Sequence, residues 1–346
     1  MNESGSFTIG DISAHRVGNK INEEGIFLTK APLELNDELH QLLSTYFLTP
    51  FKSGEYFTLY HDADLKLNEV YTFVTELFEN PDSFHEQSIN LARHLYESSN
   101  HPKIKGGEFY VVLFRDSPVL GEMVDAVGLF KSENKDTFLK VNTTGEGISL
   151  SPDIGININK LDKGCLIYNT GQENGYIVSV VDNTNKGAEA QYWMDDFLHL
   201  QQRKDEYYNT QNALSLAKEY ITKELPAHFE VTKADQADLL NKSVRFFKNR
   251  DTFDLQEFTR EVISSPEVID NFNSYKNTFQ QERDIQIEES FSISDTALKK
   301  QARVFKSVLK LDKNFHIYIH GNRELIEQGV DEKGRKFYKI YYQEEL

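Results

Sequence analysis

The sequence predicts an α+β fold: an N-terminal antiparallel sheet with packed helices, followed by a mainly helical C-terminal domain ending in a short β-hairpin. Three observations predict it. Between Glu108 and Asp182, short apolar runs follow one another through polar connections too short for helical crossovers, as antiparallel neighbours require. Beyond the polar segment Asp182-Asn183-Thr184-Asn185-Lys186-Gly187, apolar residues recur at helical spacing. A chain of 346 residues also exceeds what most single cores organise, so that segment is the expected boundary, giving domains 1–186 and 187–346.

The apolar runs Phe7 to Val17 and Ile26 to Thr29, separated by Asn22-Glu23-Glu24-Gly25, predict an opening hairpin. Asn36 caps a helical pattern in which Leu39, Leu42, Leu43, Tyr46 and Phe47 share a face, and Pro50 ends it. Tyr56 to Tyr60 reads as a strand. A helix starts near Asn68, and another at Ser83, where Ser83 and Glu86 have capping-box spacing. Six strands are expected: Glu108 to Arg115, Glu122 to Phe130, Thr137 to Val141, Asp153 to Ile158, Gly164 to Asn169 and Tyr176 to Asp182. The alternation of Ile154, Ile156 and Ile158 with Gly155 and Asn157 suits a strand with one buried face.

In the second region Trp193, Phe197 and Leu200 sit at helical spacing, and Thr232 to Lys248 is amphipathic. Asp254 with Glu257, and Ser265 before Pro266, mark further helix starts. The last helix is expected from about Asp295 to Leu311, before a strand at Phe315 to Ile319 and a hairpin around Asp331-Glu332-Lys333-Gly334.

With 39% hydrophobic and 12% aromatic residues, the chain has ample apolar area for a packed interior, which excludes wholesale disorder. No run approaches the ~20 apolar residues a bilayer span needs, and Met1 to Gly10 lacks a signal-peptide pattern, so no membrane partner is expected. Cys165 is the only cysteine, which rules out an intrachain disulfide and points to a reducing cytoplasm. The formal charge of −17 repels nucleic acid on average, so any DNA contact requires a local basic patch.

No constellation reads as a catalytic centre, and no cofactor or metal is implied. Gly145-Glu146-Gly147 lacks the downstream residues of a phosphate loop. His61, Asp62, Asp64 and Glu69 are explained by turn chemistry before a helix start. His316 and His320 lie on one face of a strand but ~13 Å apart, too far to share a metal. Asp195 and Asp196 diverge on a helix, and Cys165 reads as a buried, inert thiol.

One feature rises above this background. Lys299, Arg303, Lys306, Lys310 and Lys313 follow steps of four and three beside an apolar stripe of Leu298, Ala302, Phe305 and Leu309. From Ala297 to Leu346, eleven Lys and Arg stand against seven Asp and Glu. Lys333, Arg335, Lys336 and Lys339 add a second cluster. Stripe and hairpin together suit a phosphate backbone, which makes Lys299, Arg303, Lys306, Lys310, Lys336 and Lys339 the candidate DNA-binding residues. Two other readings stay open: a solvated helix whose lysines pair with the acidic remainder, and a face that docks onto an acidic protein.

The order of several segments resembles the bacterial nucleoid-associated protein family of the NdpA and YejK type. The segments are Ile12-Ser13-Ala14-His15-Arg16-Val17, the run from Ile154 to Tyr168, Tyr192-Trp193-Met194-Asp195-Asp196-Phe197-Leu198, and Glu289-Ser290-Phe291 with the basic stretch after it. The resemblance implies a non-enzymatic, cytoplasmic protein found with the nucleoid, with DNA binding as the attributed activity and no cofactor. It also implies topoisomerases or other nucleoid proteins as partners, so an adaptor that recruits or regulates a DNA-acting enzyme is the alternative function. Homodimerisation is a further expectation, with no dimer face readable in the residues.

Overall fold

Residues of the central strands are apolar at successive positions, as in Tyr110-Val111-Val112-Leu113-Phe114, and the sheet they form is covered on both faces. The computed structural model describes residues 7–51, 54–145, 147–184, 191–303, 305, 308–319 and 323–344. Contacts divide the chain into a unit from Met1 to Arg203 and another from Lys204 to Leu346. This division falls later than residue 186, because Tyr192, Trp193, Phe197 and Leu198 are buried in the first core.

In chain order the first unit contains β1 (Thr8–Val17), β2 (Ile26–Phe27), α1 (Asp37–Leu48), β3 (Phe57–Leu59), α2 (Glu69–Glu79) and α3 (Phe84–Ser98). The long strands β4 (Gly107–Val119) and β5 (Glu122–Ser132) follow, then β6 (Asp136–Thr144), β7 (Gly147–Gly155), β8 (Lys163–Tyr168), β9 (Ile177–Asp182) and β10 (Leu200–Gln202). Antiparallel pairings build an eight-stranded sheet in the order β10-β3-β9-β8-β5-β4-β1-β2. The α+β fold and the opening hairpin are as the sequence predicts.

Strand alternation sorts the core into two layers. Phe109, Val111 and Leu113 of β4, with Val127, Leu129, Cys165 and Ile167, meet Val70, Val74 and Leu77 of α2 and Leu91 and Leu95 of α3. The intervening Val112, Phe114, Phe130, Leu166 and Tyr168 meet Tyr46 and Phe47 of α1. Phe47 stacks on Phe130 at 4.2 Å, and Gly128 makes room, since a Cβ there would lie 2.5 Å from the Phe130 ring. Each such ring is worth roughly 1.5–3 kcal/mol of burial. At Gly175 the backbone is left-handed (φ +86°) and a Cβ would meet the Leu59 carbonyl at 2.0 Å, so only glycine lets β3 approach.

The expected caps are partly realised. Asn36 and Asn68 accept from the amides of Leu39 and Tyr71. The capping box at Ser83 does not form; its hydroxyl donates instead to the Asn80 carbonyl at 2.8 Å, because a 3₁₀ turn over Pro81–Ser83 leads directly into α3. The helix expected around Trp193 is also absent. A 3₁₀ turn at Gln191–Trp193 and a tight reversal through His199 (φ +47°) deliver β10 to its pairing with β3, and that pairing overrides helical spacing. The sheet is not single: among the described residues β6 and β7 pair only with each other, as a separate ribbon. β7 ends at Gly155, so the strand expected from Asp153 to Ile158 with a buried face does not form, and Ile154 is exposed.

The second unit is built from α4 (Glu206–Glu219), α5 (Leu225–His228), α6 (Lys233–Lys248), β11 (Thr252–Asp254), α7 (Leu255–Phe258), α8 (Pro266–Arg283), β12 (Ser290–Ser292) and α9 (Asp295–Ala302). Two hairpins close it, β13 (Val308–Leu311) with β14 (Phe315–Tyr318) and β15 (Ile326–Val330) with β16 (Lys336–Ile340). Its core is aromatic: Phe253 stacks between Phe247 at 5.0 Å and Phe291 at 4.8 Å, with Phe246, Phe258 and Phe272 around them. A capping box at Thr232 and Asp235 starts α6, and Asp254 caps α7.

Candidate nucleic-acid interface

The charge of the chain is unevenly divided. Residues 1–203 carry 16 Lys and Arg against 30 Asp and Glu, a net of −14, whereas residues 204–346 carry 22 against 25, a net of −3. The basic excess after Ala297 therefore sits in the unit with the smaller opposing field.

The continuous basic stripe expected over 295–311 is broken. Helix α9 ends at Ala302, and by Val308 the chain has become β13, with Lys310 opposite His316. The reason lies in the pairing: Val308-Leu309-Lys310-Leu311 alternates with period two, and Asp312 (φ +51°) turns it back onto β14. The apolar stripe is partly real, since Leu298 and Phe305 are buried in the second core. Lys299 and Arg303 remain one turn apart, both exposed, at the C-terminal end of α9, where cations are favoured by the helix dipole. Lys306 lies outside the described residues.

On the last hairpin, β16 places Lys336 and Lys339 three positions apart, so they point to opposite faces. Lys336 shares the face of Tyr338 and Ile326, the latter packed with Ala234 and Ala237 of α6. Lys339 shares the other face with Glu327, 3.5 Å from its carboxylate, and lies over the Tyr341 ring at 4.7 Å. The Tyr341 hydroxyl, followed by the Glu327 charge, holds the Lys339 ammonium above its ordinary value. Arg335 pairs with Asp331 at 2.7 Å, and Arg323 with Asp235 at 2.7 Å. Lys299, Arg303, Lys313, Lys333 and Lys336 have no carboxylate partner among the described residues, which distinguishes them from these compensated cations.

The other residues singled out in the sequence play local roles. Asp64 caps a 3₁₀ turn through the Lys66 amide, and His61 accepts from the Ala63 amide. Asp195 and Asp196 are exposed, with Asp195 raised above the usual carboxylate range by partial burial and then by Asp196. Burial pushes the Cys165 thiol far up. His316 is exposed on β14, and His320 lies outside the described residues. Among the described residues no group of His, Cys, Asp or Glu is placed to hold a metal, and no helix is long and apolar enough to cross a membrane.

The family model described as nucleoid-associated protein YejK matches residues 13–335. The chain belongs to this family. A nucleoid-associated, DNA-related role follows from that membership. Comparison with curated proteins gave no match.

Two structural features of this family member escaped the sequence reading. Lys131 and Lys163 are buried on adjacent strands with Tyr192 between them, its ring 5.2 and 5.1 Å from the two ammonium groups. Lys131 donates to the Tyr192 oxygen at 2.9 Å, and the Tyr192 hydroxyl donates to Glu133 at 2.6 Å. Burial pulls the Lys131 ammonium down and Glu133 opposes it. A cleft of about 500 Å³ opens beside this network, lined by Lys103, Lys105, Lys160, Asn134 and Asn183 among others. The signal was the lysine at each end of an apolar strand, Lys131 near the end of β5 and Lys163 at the start of β8. The second feature is the uncovered face of the β6–β7 ribbon.

Proposed function

We propose that this nucleoid-associated protein is a non-catalytic cytoplasmic protein that contacts the backbone of duplex DNA through the cations of its C-terminal region, from Ala297 onward, without strong sequence preference. The observation that carries this reading is the set of exposed cations without carboxylate partners, Lys299, Arg303 and Lys336 foremost, in a unit of net charge only −3. Lys306 and Lys310 belong to the same proposal on sequence grounds. Lys339 assists after separating from Glu327.

Four engaged phosphates give a log–log salt slope of roughly −3.6. The test is anisotropy titration of a labelled duplex at several salt concentrations, with wild type and Lys299→Glu/Arg303→Glu. Loss of affinity and a shallower slope are expected from the folded variant. Equal affinity in both proteins removes the assignment.

The alternative is an adaptor that recruits or regulates a DNA-acting enzyme such as a topoisomerase. The −14 charge of residues 1–203 supports it, because that field favours a basic protein surface over DNA. It predicts weak duplex binding by wild type and co-purification with a partner after nuclease treatment.

A further inference from the structure

The β6–β7 ribbon has one apolar face whose large side chains join no hydrophobic cluster among the described residues. The register pairs Thr137 with Ile154, Leu139 with Pro152, Val141 with Leu150 and Thr143 with Ile148, so all eight share one face. That face holds no charged residue. The opposite face carries Asp136, Phe138, Lys140 and Asn142 across from Gly155, Asp153, Ser151 and Ser149, with an ion pair between Lys140 and Asp153. Leu139, Val141, Ile148, Leu150 and Ile154 are 62–74% exposed, and none belongs to a hydrophobic cluster of the fold.

Such a surface needs a cover. A two-stranded hairpin is marginal alone in water, and this one makes no strand pairing outside itself. Strands of nine residues extend ~30 Å, and two ribbons stacked face to face at ~10 Å would form a four-stranded sandwich with a closed apolar interior.

We infer that the cover is the same ribbon of a second copy, packed about a two-fold axis. The face is self-complementary, as an isologous contact requires. The area suffices: five large side chains left to water at roughly 100 Å² each, with Pro152 and the threonines, give about 1,200 Å² over two copies, the lower bound of specific interfaces. Charge favours this occupant too. Two copies of a −17 chain repel, but the contact would be charge-free, and Lys140 and Lys160 neutralise Asp153 and Asp136 behind it. Absence of any cation on the face argues against DNA as its occupant, so the inference is independent of the proposed duplex contact.

The experiment is sedimentation of the full chain across the micromolar range, as wild type and as Val141→Glu/Leu150→Lys. That double substitution puts opposite charges at directly paired, exposed positions, so the ribbon itself is retained. Asn142→Lys on the opposite face is the control. The expected result is a dimeric wild type and control, and a monomeric double variant with unchanged circular dichroism and urea midpoint. A wild type that stays monomeric, including one whose ribbon is held by a different protein, overturns the inference, as does a dimer that survives the double substitution.

Discussion

The buried ammonium of Lys163 lies 2.7 Å from the Asp182 carboxylate, and these two residues face each other directly in the β8–β9 register. Lys163 also donates to the Thr184 hydroxyl at 2.7 Å, and its side chain has no exposure to water. Removing one charge of such a pair leaves the other stranded in a low-dielectric interior, which costs more than the pair contributes.

Asp182→Ala is accordingly expected to destabilise the first unit by about 2–4 kcal/mol, with the double variant Lys163→Met/Asp182→Leu costing less than the single change. Urea unfolding of the three proteins measures this. A single-variant loss below about 1 kcal/mol would refute the stranded-charge account.

Acid sensitivity is expected from His15. Its Nε2–H donates to the Ser88 hydroxyl at 3.0 Å and its Nδ1 accepts from the Thr29 amide at 3.2 Å, so the ring is held neutral. Burial, and then His85, lowers its pKa to about 4. The unfolded chain therefore takes up the proton first: this contribution is complete above pH 6.5 and is lost as pH falls from there toward 4. Between pH 7 and 5 the wild type should lose about 2 kcal/mol more than His15→Gln, measured as the change in unfolding free energy of each. Identical losses in the two proteins would rule out His15 as the source.

On the last hairpin the two lysines should contribute unequally to duplex binding. Lys336 has no carboxylate partner among the described residues, whereas Lys339 must leave Glu327 and the Tyr341 ring before it meets a phosphate. Lys336→Ala is expected to reduce the salt slope by about 0.9, and Lys339→Ala by less. Anisotropy titration decides between them, and the reverse order contradicts the compensation described for Lys339.

Much of the fold was legible because local patterns and tertiary demands agree. Asn36, Asn68, Thr232 and Asp254 stand where helices start, and turn-bounded apolar runs mark β4, β5, β6, β8 and β9, whereas the strand expected from Asp153 to Ile158 overlaps β7 only as far as its end at Gly155. Where the two conflict, pairing wins. Trp193, Phe197 and Leu200 have helical spacing, but the chain must reach β3, so it turns instead. The stretch after Ala302 continues a helical rhythm of lysines, yet Val308 to Leu311 also alternates, and a strand partner at Phe315 to Tyr318 decides the matter.

The candidate site shows the same division. Counting charges located the basic excess of the final fifty residues, since charge is a property of composition and order alone. Whether each cation is available is decided by its neighbours in space: Glu327 occupies Lys339, Asp331 occupies Arg335, and strand geometry sends Lys336 and Lys339 to opposite faces. Alternation of Ile154, Ile156 and Ile158 predicts a strand with one buried face, but β7 ends at Gly155 and Ile154 is exposed, because an alternating strand has an apolar face whether or not anything covers it. Only the folded chain shows Ile154 66% exposed, on a face that joins no hydrophobic cluster among the described residues.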